Sequence, residues 1–187
     1  MNDTLRTIAE RYSCRDFDGA MPSQEKIEAI AQAAIQAPSG MNRQHWHIIV
    51  IKNKDIISEI EAESMRFLSK MDDKTMYERI KSRGGKLFYN APCLILIAVK
   101  EAYPKGAELI DLGIVAQNIS IAATSLGIAN LHCGLATLAF AGDKASELKA
   151  KLKVPEEYEC GIGVLLGYGN SARPPHDPDY EKICFIE

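Results

Sequence analysis

The sequence predicts a fold of helices around one central β-sheet, of the α+β or the α/β class. Residues 91–100, APCLILIAVK, are almost wholly apolar, as a strand covered on both faces requires. Residues 107–126, AELIDLGIVAQNISIAATSL, have the length of a helix and are apolar nearly all round. Residues 159–169, ECGIGVLLGYG, are typical of a core strand interrupted by glycines. The pattern does not fix the order of the strands.

The size and composition indicate one globular domain that spans residues 1–187. A chain of 187 residues with 47% hydrophobic and 25% charged residues suits a single compact core. The net charge of −3 gives no general attraction to nucleic acid or to acidic lipid. The N-terminus lacks a secretory pattern, and the five cysteines lack a C-x-x-C pair, so we expect reduced thiols in a cytoplasmic protein.

The first half of the chain begins with a short helix at residues 3–11 and an irregular stretch at residues 12–22. Ser23 can then cap a helix that runs to about Gln36, with Glu25 near its positive end. The apolar stripe of that helix consists of Ile27, Ile30, Ala31, Ala34 and Ile35.

A strand at residues 46–52 follows, and we expect Trp46 to be a core aromatic at its start. Residues 55–70 suit a second amphipathic helix, whereas residues 71–86 are charged and ambiguous. The helix at 107–126 closes at Gly127 in a left-handed C-cap. Because that helix is apolar on most sides, a partner subunit is a natural source of the extra cover.

The remainder of the chain contains three segments. Residues 128–134, IANLHCG, indicate a strand that runs into a loop, and residues 142–154, GDKASELKAKLKV, a surface helix. The Pro-rich tail at 170–187 suits an extended arm on some surface.

The sequence contains none of the common catalytic motifs. It has no G-x-x-x-x-G-K phosphate loop and no G-x-S-x-G elbow, and its G-x-G lies inside an apolar strand, where close packing explains the glycines. His45 and His47 would share one face of a strand, but no nearby carboxylate or cysteine completes a metal site. We therefore expect no metal and no catalytic dyad or triad; in an enzyme of this sequence, a bound cofactor would carry the chemistry.

A first polar cluster lies at residues 11–17, RYSCRDF, where the first helix ends. Arg11, Ser13 and Arg15 supply two guanidinium groups and a hydroxyl, which suit a phosphate monoester. The alternative is a solvated helix end with ion pairs to Asp16 or Asp18.

A second cluster follows the helix that Pro38 ends. Ser39 and Gly40 expose backbone N–H groups, and the amides of Asn42 and Gln44 could pair with the edge of a heterocycle. The alternative is a loop that satisfies its own turns by side-chain hydrogen bonds.

A third cluster, residues 131–137 (LHCGLAT), lies where a strand ends. Gly134 would let a backbone N–H approach a flat ligand closely. Cys133 could instead be a nucleophile, although only His132 is near enough in sequence to lower the pKa of its thiol.

In this order the segments resemble the nitroreductase family of FMN-dependent oxidoreductases over nearly the whole chain. The likeness is strongest in the R-x-S-x-R-x-F start and the A-P-S-x-x-N-x-Q-x-W loop. His45 stands where the family usually has proline, and Cys133 where it often has glutamate or proline-glycine. The resemblance implies a three-layer α-β-α fold of the α+β class, with a mostly antiparallel sheet and a C-terminal arm that reaches a partner subunit.

The resemblance also implies a set of FMN-binding residues at the interface of a homodimer. The early cluster would hold the phosphate and the pyrimidine side, the loop would come from the other subunit, and the backbone after the third strand would face flavin N5. One residue of 81–86 would contact the pyrimidine edge, and His176 is the reserve for the late basic residue. The implied residues are Arg11, Tyr12, Ser13, Arg15, Pro38, Ser39, Gly40, Asn42, Gln44, Cys133, Gly134 and Arg173.

The implied activity is a two-electron transfer without a catalytic side chain. Hydride from NADH or NADPH would reach N5, and a nitroaromatic, quinone or flavin acceptor would take up the electrons at the same place, with ping-pong kinetics. The alternatives are a family branch with altered chemistry (dehalogenation, flavin breakdown or enoate reduction), a flavin storage or sensing module, and an interaction protein without cofactor. We expect residues 71–86 to select the substrate.

Overall fold

The computed structural model describes residues 1–102, 104–171 and 173–187. Its helices are α1 (Asp3–Glu10), α2 (Gln24–Ile35), α3 (Lys54–Lys70), α4 (Thr75–Lys81), α5 (Ala107–Ser125) and α6 (Ala145–Lys151). Its strands are β1 (Trp46–Ile51), β2 (Cys93–Lys100), β3 (Ala129–Cys133) and β4 (Tyr158–Gly167). Short 3₁₀ turns lie at Gly40–Asn42, Gly134–Phe140 and Tyr180–Lys182.

The four strands form one antiparallel sheet in the order β1-β2-β4-β3. The fold is therefore α+β with an antiparallel sheet, which confirms what the resemblance implies and resolves the choice between α+β and α/β that the residue pattern left open. In the register, Trp46 of β1 lies opposite Val99, and Cys133 of β3 lies opposite Gly163. Since neighbouring strands are about 4.8 Å apart, the edge strands β1 and β3 are separated by roughly 14 Å.

Helices cover both faces of the sheet, which gives the predicted three layers. Leu94 and Leu96 of β2 point to the face covered by α3, α6 and the turn at 134–140, whereas Ile95 and Ile97 point to the face covered by α2 and α5. Strand β2 is buried from Cys93 to Val99, as its unbroken apolar sequence predicts. Trp46 is buried at the start of β1 and belongs to the core.

Local signals place most element ends within a residue or two of their predicted positions. The Oγ of Ser23 accepts a hydrogen bond from the backbone N–H of Lys26 at 3.4 Å and caps α2. Gly127 adopts φ = 69° directly after α5, where its N–H donates to the carbonyl of Thr124 at 3.0 Å. Strand β1 ends at Ile51, one residue before its predicted end, because the side chain of Asn53 already caps α3.

The glycines of β4 are packing residues, as their position in an apolar strand suggests. A Cβ at Gly163 would lie 2.8 Å from Leu94 Cδ1, and one at Gly167 would lie 2.7 Å from Pro92 Cδ. The strand can therefore lie this close to its neighbours only without side chains at these positions.

The outer surface retains apolar side chains on α1, α5 and the tail. Leu109 and Ile110 of α5 are 62% and 68% exposed, and Phe185 and Ile186 near the C-terminus are 87% and 94% exposed. All residues from 173 to 187 are exposed. Exposed apolar groups of this size are typical of protein–protein contacts. Within the described ranges, no helix is both long and apolar enough to cross a bilayer.

Candidate functional site

The N-terminal cluster lies along the edge strand β3. Ser13 forms a parallel bridge with Asn130, and the backbone N–H of Cys14 donates to the carbonyl of Asn130 at 2.9 Å. The buried ring of Phe17 anchors the end of the cluster in the core. These contacts bring Arg15 to the C-terminal end of β3.

A cleft of about 220 Å³ opens at that end of the sheet. Its walls are Arg15, residues 131–135, Leu87, Tyr89 and one face of α4 with the turn that follows it. Three of the predicted site residues therefore meet here, namely Arg15, Cys133 and Gly134.

The cleft is lined by positive charge. Arg15, Arg79 and Arg83 contribute to its surface, and no carboxylate is among the described residues that line it. Arg15 donates from Nη1 to the carbonyl of Ser13 at 3.3 Å. Guanidinium groups concentrated around a concave surface attract anionic ligands.

The backbone at the end of β3 is open toward a ligand. A Cβ placed on Gly134 would meet no atom within 4 Å, so the main chain there can be approached closely. Cys133 itself is buried, and burial raises the pKa of its thiol to about 11. The thiol is therefore protonated at neutral pH, which does not suit a nucleophile.

Arg11 belongs to the N-terminal cluster and Arg173 lies near its Tyr12, but neither arginine lines the cleft. Burial lowers the pKa of His132, and the nearby charge of Arg11 lowers it further. Burial raises the pKa of Tyr12, and the charge of Arg173 opposes that rise. The hydroxyl of Tyr12 packs against Gly169, where an added Cβ would lie 2.9 Å away. His176 lies in the exposed tail.

The loop at residues 38–44 is braced by its own side chains. The Oγ of Ser39 accepts a hydrogen bond from the backbone N–H of Gln44 at 2.9 Å, and Gln44 Nε2 donates to Asn42 Oδ1 at 3.0 Å. Met41, Asn42 and Gln44 all have φ between 51° and 54°, a conformation that costs free energy in residues other than glycine. The self-satisfied loop that was the alternative prediction is therefore present. Pro38 and Gly40 are exposed.

The structure does not bring this loop to the cleft within one chain. The loop leads into β1, whereas the cleft lies at the end of β3, the opposite edge of the sheet. No residue of 38–44 is among the described residues that line the cleft. A site that uses both would need the loop of a second chain. His45, just beyond the loop, has a buried Nδ1 without a partner among the described residues.

Sequence reasoning expected residues 71–86 to select the substrate, but it named no residue of α4 as part of the site. Met76 and Arg79 of α4 line it, and Arg83 is the residue of 81–86 that does so. Lys81 instead lies over the ring of Tyr77, 5.5 Å from its centroid. The usable signal was the four-residue spacing of Arg79 and Arg83, which places both side chains on one side of a helix. No group of three metal-binding side chains occurs in the described part of the chain.

The comparisons with known proteins agree on one family. A family model described as "Nitroreductase family" matches residues 8–168. A nitroreductase with bound FMN from Desulfitobacterium hafniense has a structure similar to this chain, with 54% identity, complete coverage of both chains and a TM-score of 0.96. A second, from Bacteroides fragilis and also with bound FMN, is 27% identical over all of both chains, with a TM-score of 0.91. A putative NADH dehydrogenase/NAD(P)H nitroreductase from Archaeoglobus fulgidus is 26% identical over 182 residues, which is 96% of this chain and 92% of that protein.

Proposed function

Since this chain belongs to the nitroreductase family and is an oxidoreductase, we propose that it uses FMN to pass electrons from NADH or NADPH to a nitroaromatic, quinone or flavin acceptor. The observation that carries this proposal is the meeting of Arg15 with the open backbone of Gly134 in one cleft. The first offers a guanidinium to a phosphorylated ligand, and the second offers a main-chain donor to a flat ring.

The residues present fit FMN on chemical grounds. The cofactor is a flat heterocycle that ends in a phosphate, and the cleft combines an open backbone edge and apolar walls with guanidinium groups. The cleft of about 220 Å³ is smaller than the roughly 300–1,000 Å³ of most small-molecule pockets. One chain therefore supplies part of the site, which supports the proposal that a second subunit completes it.

We assign the phosphate to the N-terminal cluster. Arg11, Ser13 and Arg15 would bind its oxygens, and Arg173 would approach from the far side of Tyr12. The charge of Arg11 adds to the lowering of the pKa of His132 by burial, and the charge of Arg173 opposes the rise in the pKa of Tyr12, which supports the placement of these charges in one region.

The ring would lie against the end of β3. When bound, FMN would supply the redox chemistry, a transfer of two electrons from the nicotinamide to the acceptor with ping-pong kinetics. The backbone N–H of Gly134 would orient the ring edge near N5, and Arg83 would donate to the pyrimidine edge. Leu87 and Leu131 would exclude water from the ring, and the protonated thiol of Cys133 takes no part.

We assign the cover of the ring to residues 38–44 of a second subunit, with Pro38, Ser39, Gly40 and Asn42 at the cofactor and Gln44 bracing the loop. Left-handed conformations at Met41, Asn42 and Gln44 cost about 1–3 kcal/mol each where the residue is not glycine. A strained loop that is exposed in the single chain is consistent with a role at a binding site.

The test is the absorption spectrum of the purified protein before and after anaerobic addition of NADH or NADPH. We expect an absorption band at about 450 nm that bleaches with at least one of the two reductants and returns when a nitroaromatic or quinone is added. A yellow protein that neither reductant bleaches would indicate a storage or sensing module. A protein that remains colourless with excess FMN would indicate an interaction protein, and either result contradicts the proposal.

A further inference from the structure

The face of α4 that borders the cleft, together with the turn that follows the helix, contains two arginines and a methionine. Met76, Arg79 and Arg83 are spaced by three and four residues, so one side of the helix and its C-terminal end present all three to the cleft. Together they form a wall of the cleft that Gly134 also lines.

Two of the three arginines in the cleft already have defined positions. Arg15 is held by its bond to the carbonyl of Ser13. Arg83 donates from Nε to the carbonyl of Arg79 at 3.1 Å, and its guanidinium lies over the ring of Tyr89, 5.7 Å from the centroid. Under the proposed function, Arg15 binds the phosphate of FMN and Arg83 donates to its pyrimidine edge.

The side chain of Arg79 has no such assignment. No hydrogen bond or ion pair joins its guanidinium to any of the described residues, although Glu78 is its neighbour on α4. A basic residue in the last turn of a helix also complements the helix dipole, but Lys81 does so equally from outside the cleft. The distinguishing property of Arg79 is that it lines a cleft whose charges are all positive.

We propose that Arg79 binds an anionic group on the electron acceptor, so that the preferred acceptors are aromatic compounds that carry a carboxylate or a similarly charged substituent. This inference rests on the proposed function. Met76 is 39% exposed in the same wall and offers an apolar surface to the aromatic ring. A guanidinium beside a methionine is thus suited to a ring with a charged substituent, since Arg pairs with carboxylates through two parallel hydrogen bonds.

A second source of negative charge is the reductant, because NADPH carries a 2′-phosphate that NADH lacks. The two half-reactions of a flavin enzyme can be measured separately, so the two sources can be distinguished. Reduction by NADH and by NADPH is followed without acceptor, and reoxidation is followed without nicotinamide.

The decisive measurement is the reoxidation of holoprotein that has been reduced with dithionite. It is mixed anaerobically with 4-nitrobenzoate or with the neutral 4-nitrobenzamide, and the return of the flavin absorbance is recorded. Each nitro group takes two electrons and two protons and becomes a nitroso group and one water. We expect Arg79→Ala to slow reoxidation by 4-nitrobenzoate about tenfold and to leave the rate of reoxidation by 4-nitrobenzamide nearly unchanged. A tenfold effect is at the lower end of the range for a charged hydrogen bond, as suits an open cleft.

An equilibrium measurement provides a readout other than turnover. Benzoate, which cannot be reduced here, is titrated into the oxidised holoprotein, and its Kd is obtained from the change in the flavin spectrum. We expect Arg79→Ala to raise the Kd of benzoate about tenfold and to leave that of benzamide unchanged. High salt should weaken benzoate binding to the unaltered protein, because it screens exposed charges.

Two further variants distinguish a specific contact of Arg79 from the effect of any positive charge on α4. Arg79→Lys keeps the charge and should retain part of the preference for the carboxylate. Lys81→Ala removes the same charge from the same turn of α4, but its side chain lies over Tyr77, so the preference should remain.

The inference is overturned if Arg79→Ala changes neither the ratio of the reoxidation rates with 4-nitrobenzoate and 4-nitrobenzamide nor the Kd of benzoate. It is also overturned if the variant changes only the ratio of the rates of flavin reduction by NADPH and by NADH. Arg79 would then bind the 2′-phosphate of NADPH and not a group on the acceptor. A reduced holoprotein that neither nitro compound nor a quinone reoxidises would refute the proposed function itself, and the inference with it.

Discussion

The backbone N–H of Cys14 donates a hydrogen bond of 2.9 Å to the carbonyl oxygen of Asn130. This bond joins the segment after α1 to the edge strand β3, two parts of the chain that are distant in sequence. Its consequence is that Arg15 lies in the same cleft as Cys133 and Gly134. The proposed cofactor site depends on this contact.

The first prediction concerns the binding of the FMN phosphate by Arg11. Replacing Arg11 by alanine should weaken FMN binding by about 1.5–3 kcal/mol, because a charged hydrogen bond to the phosphate is lost. The dissociation constant can be measured from the fluorescence of released FMN. Arg6→Ala is the matched control, since Arg6 is on the exposed surface of α1 and pairs with Asp3. An Arg11→Ala protein with the dissociation constant of the unaltered protein would refute the phosphate assignment.

The second prediction concerns Cys133. Because burial raises the pKa of this thiol to about 11, it is protonated at pH 7, and we expect Cys133→Ala to keep most of the turnover. Iodoacetamide at neutral pH should react with the exposed Cys184 well before Cys133, as mass spectrometry of the labelled peptides can determine. If turnover collapses in Cys133→Ala while FMN remains bound, the thiol has a chemical role after all.

The third prediction concerns assembly. We expect a homodimer at micromolar concentration, because Leu109 and Ile110 expose apolar surface on α5 and the loop at 38–44 cannot reach the cleft of its own chain. Ile110→Lys should shift the sedimentation coefficient toward that of a monomer and release FMN. Glu156→Lys, on the exposed surface beyond α6, serves as the control. A well-folded monomer that binds FMN as tightly as the unaltered protein would contradict this assembly.

The fourth prediction concerns pH. The pKa of His132 is lowered below its ordinary value of 6.5, chiefly by burial, so the unfolded chain binds this proton more readily than the folded one. Stability should therefore be highest above about pH 6.5 and should fall as the pH drops below that value toward the lower pKa of the folded state. Urea unfolding at pH 7.5, 6.5 and 5.5 measures this dependence. The pH dependence of stability should be reduced in His132→Gln. It should be retained in the control His176→Gln, which alters an imidazole in the exposed tail. An equal pH dependence in both variants would be evidence against this role of His132.

Much of the fold could be predicted because its signals are local. The cap at Ser23, the left-handed glycine at Gly127 and the unbroken apolar run of β2 each act within a few residues, and all three lie where the sequence indicates. The glycines of β4 were correctly interpreted as packing residues, because a dinucleotide motif requires a helix directly after the strand.

The site was predictable only where its residues form short polar clusters. Arg15, Cys133 and Gly134 were expected from such clusters and line the cleft. Residues 71–86 were expected to select the substrate, but Arg79 could not be singled out among them, because the charges there are equally typical of a solvated surface. Only the fold distinguishes Arg79, which lines the cleft, from Lys81, which lies over the ring of Tyr77.

The sequence by itself determined most of the elements, although not α4, as well as the buried strands and the polar clusters, since hydrophobic periodicity and capping depend on near neighbours in the chain. The tertiary structure alone decided the strand order β1-β2-β4-β3 and, with it, the placement of β1 and β3 at opposite edges. Strand order depends on contacts between residues far apart in sequence, which no local pattern encodes. For the same reason, only the fold separates the loop at 38–44 from the cleft that Arg15 and Gly134 share.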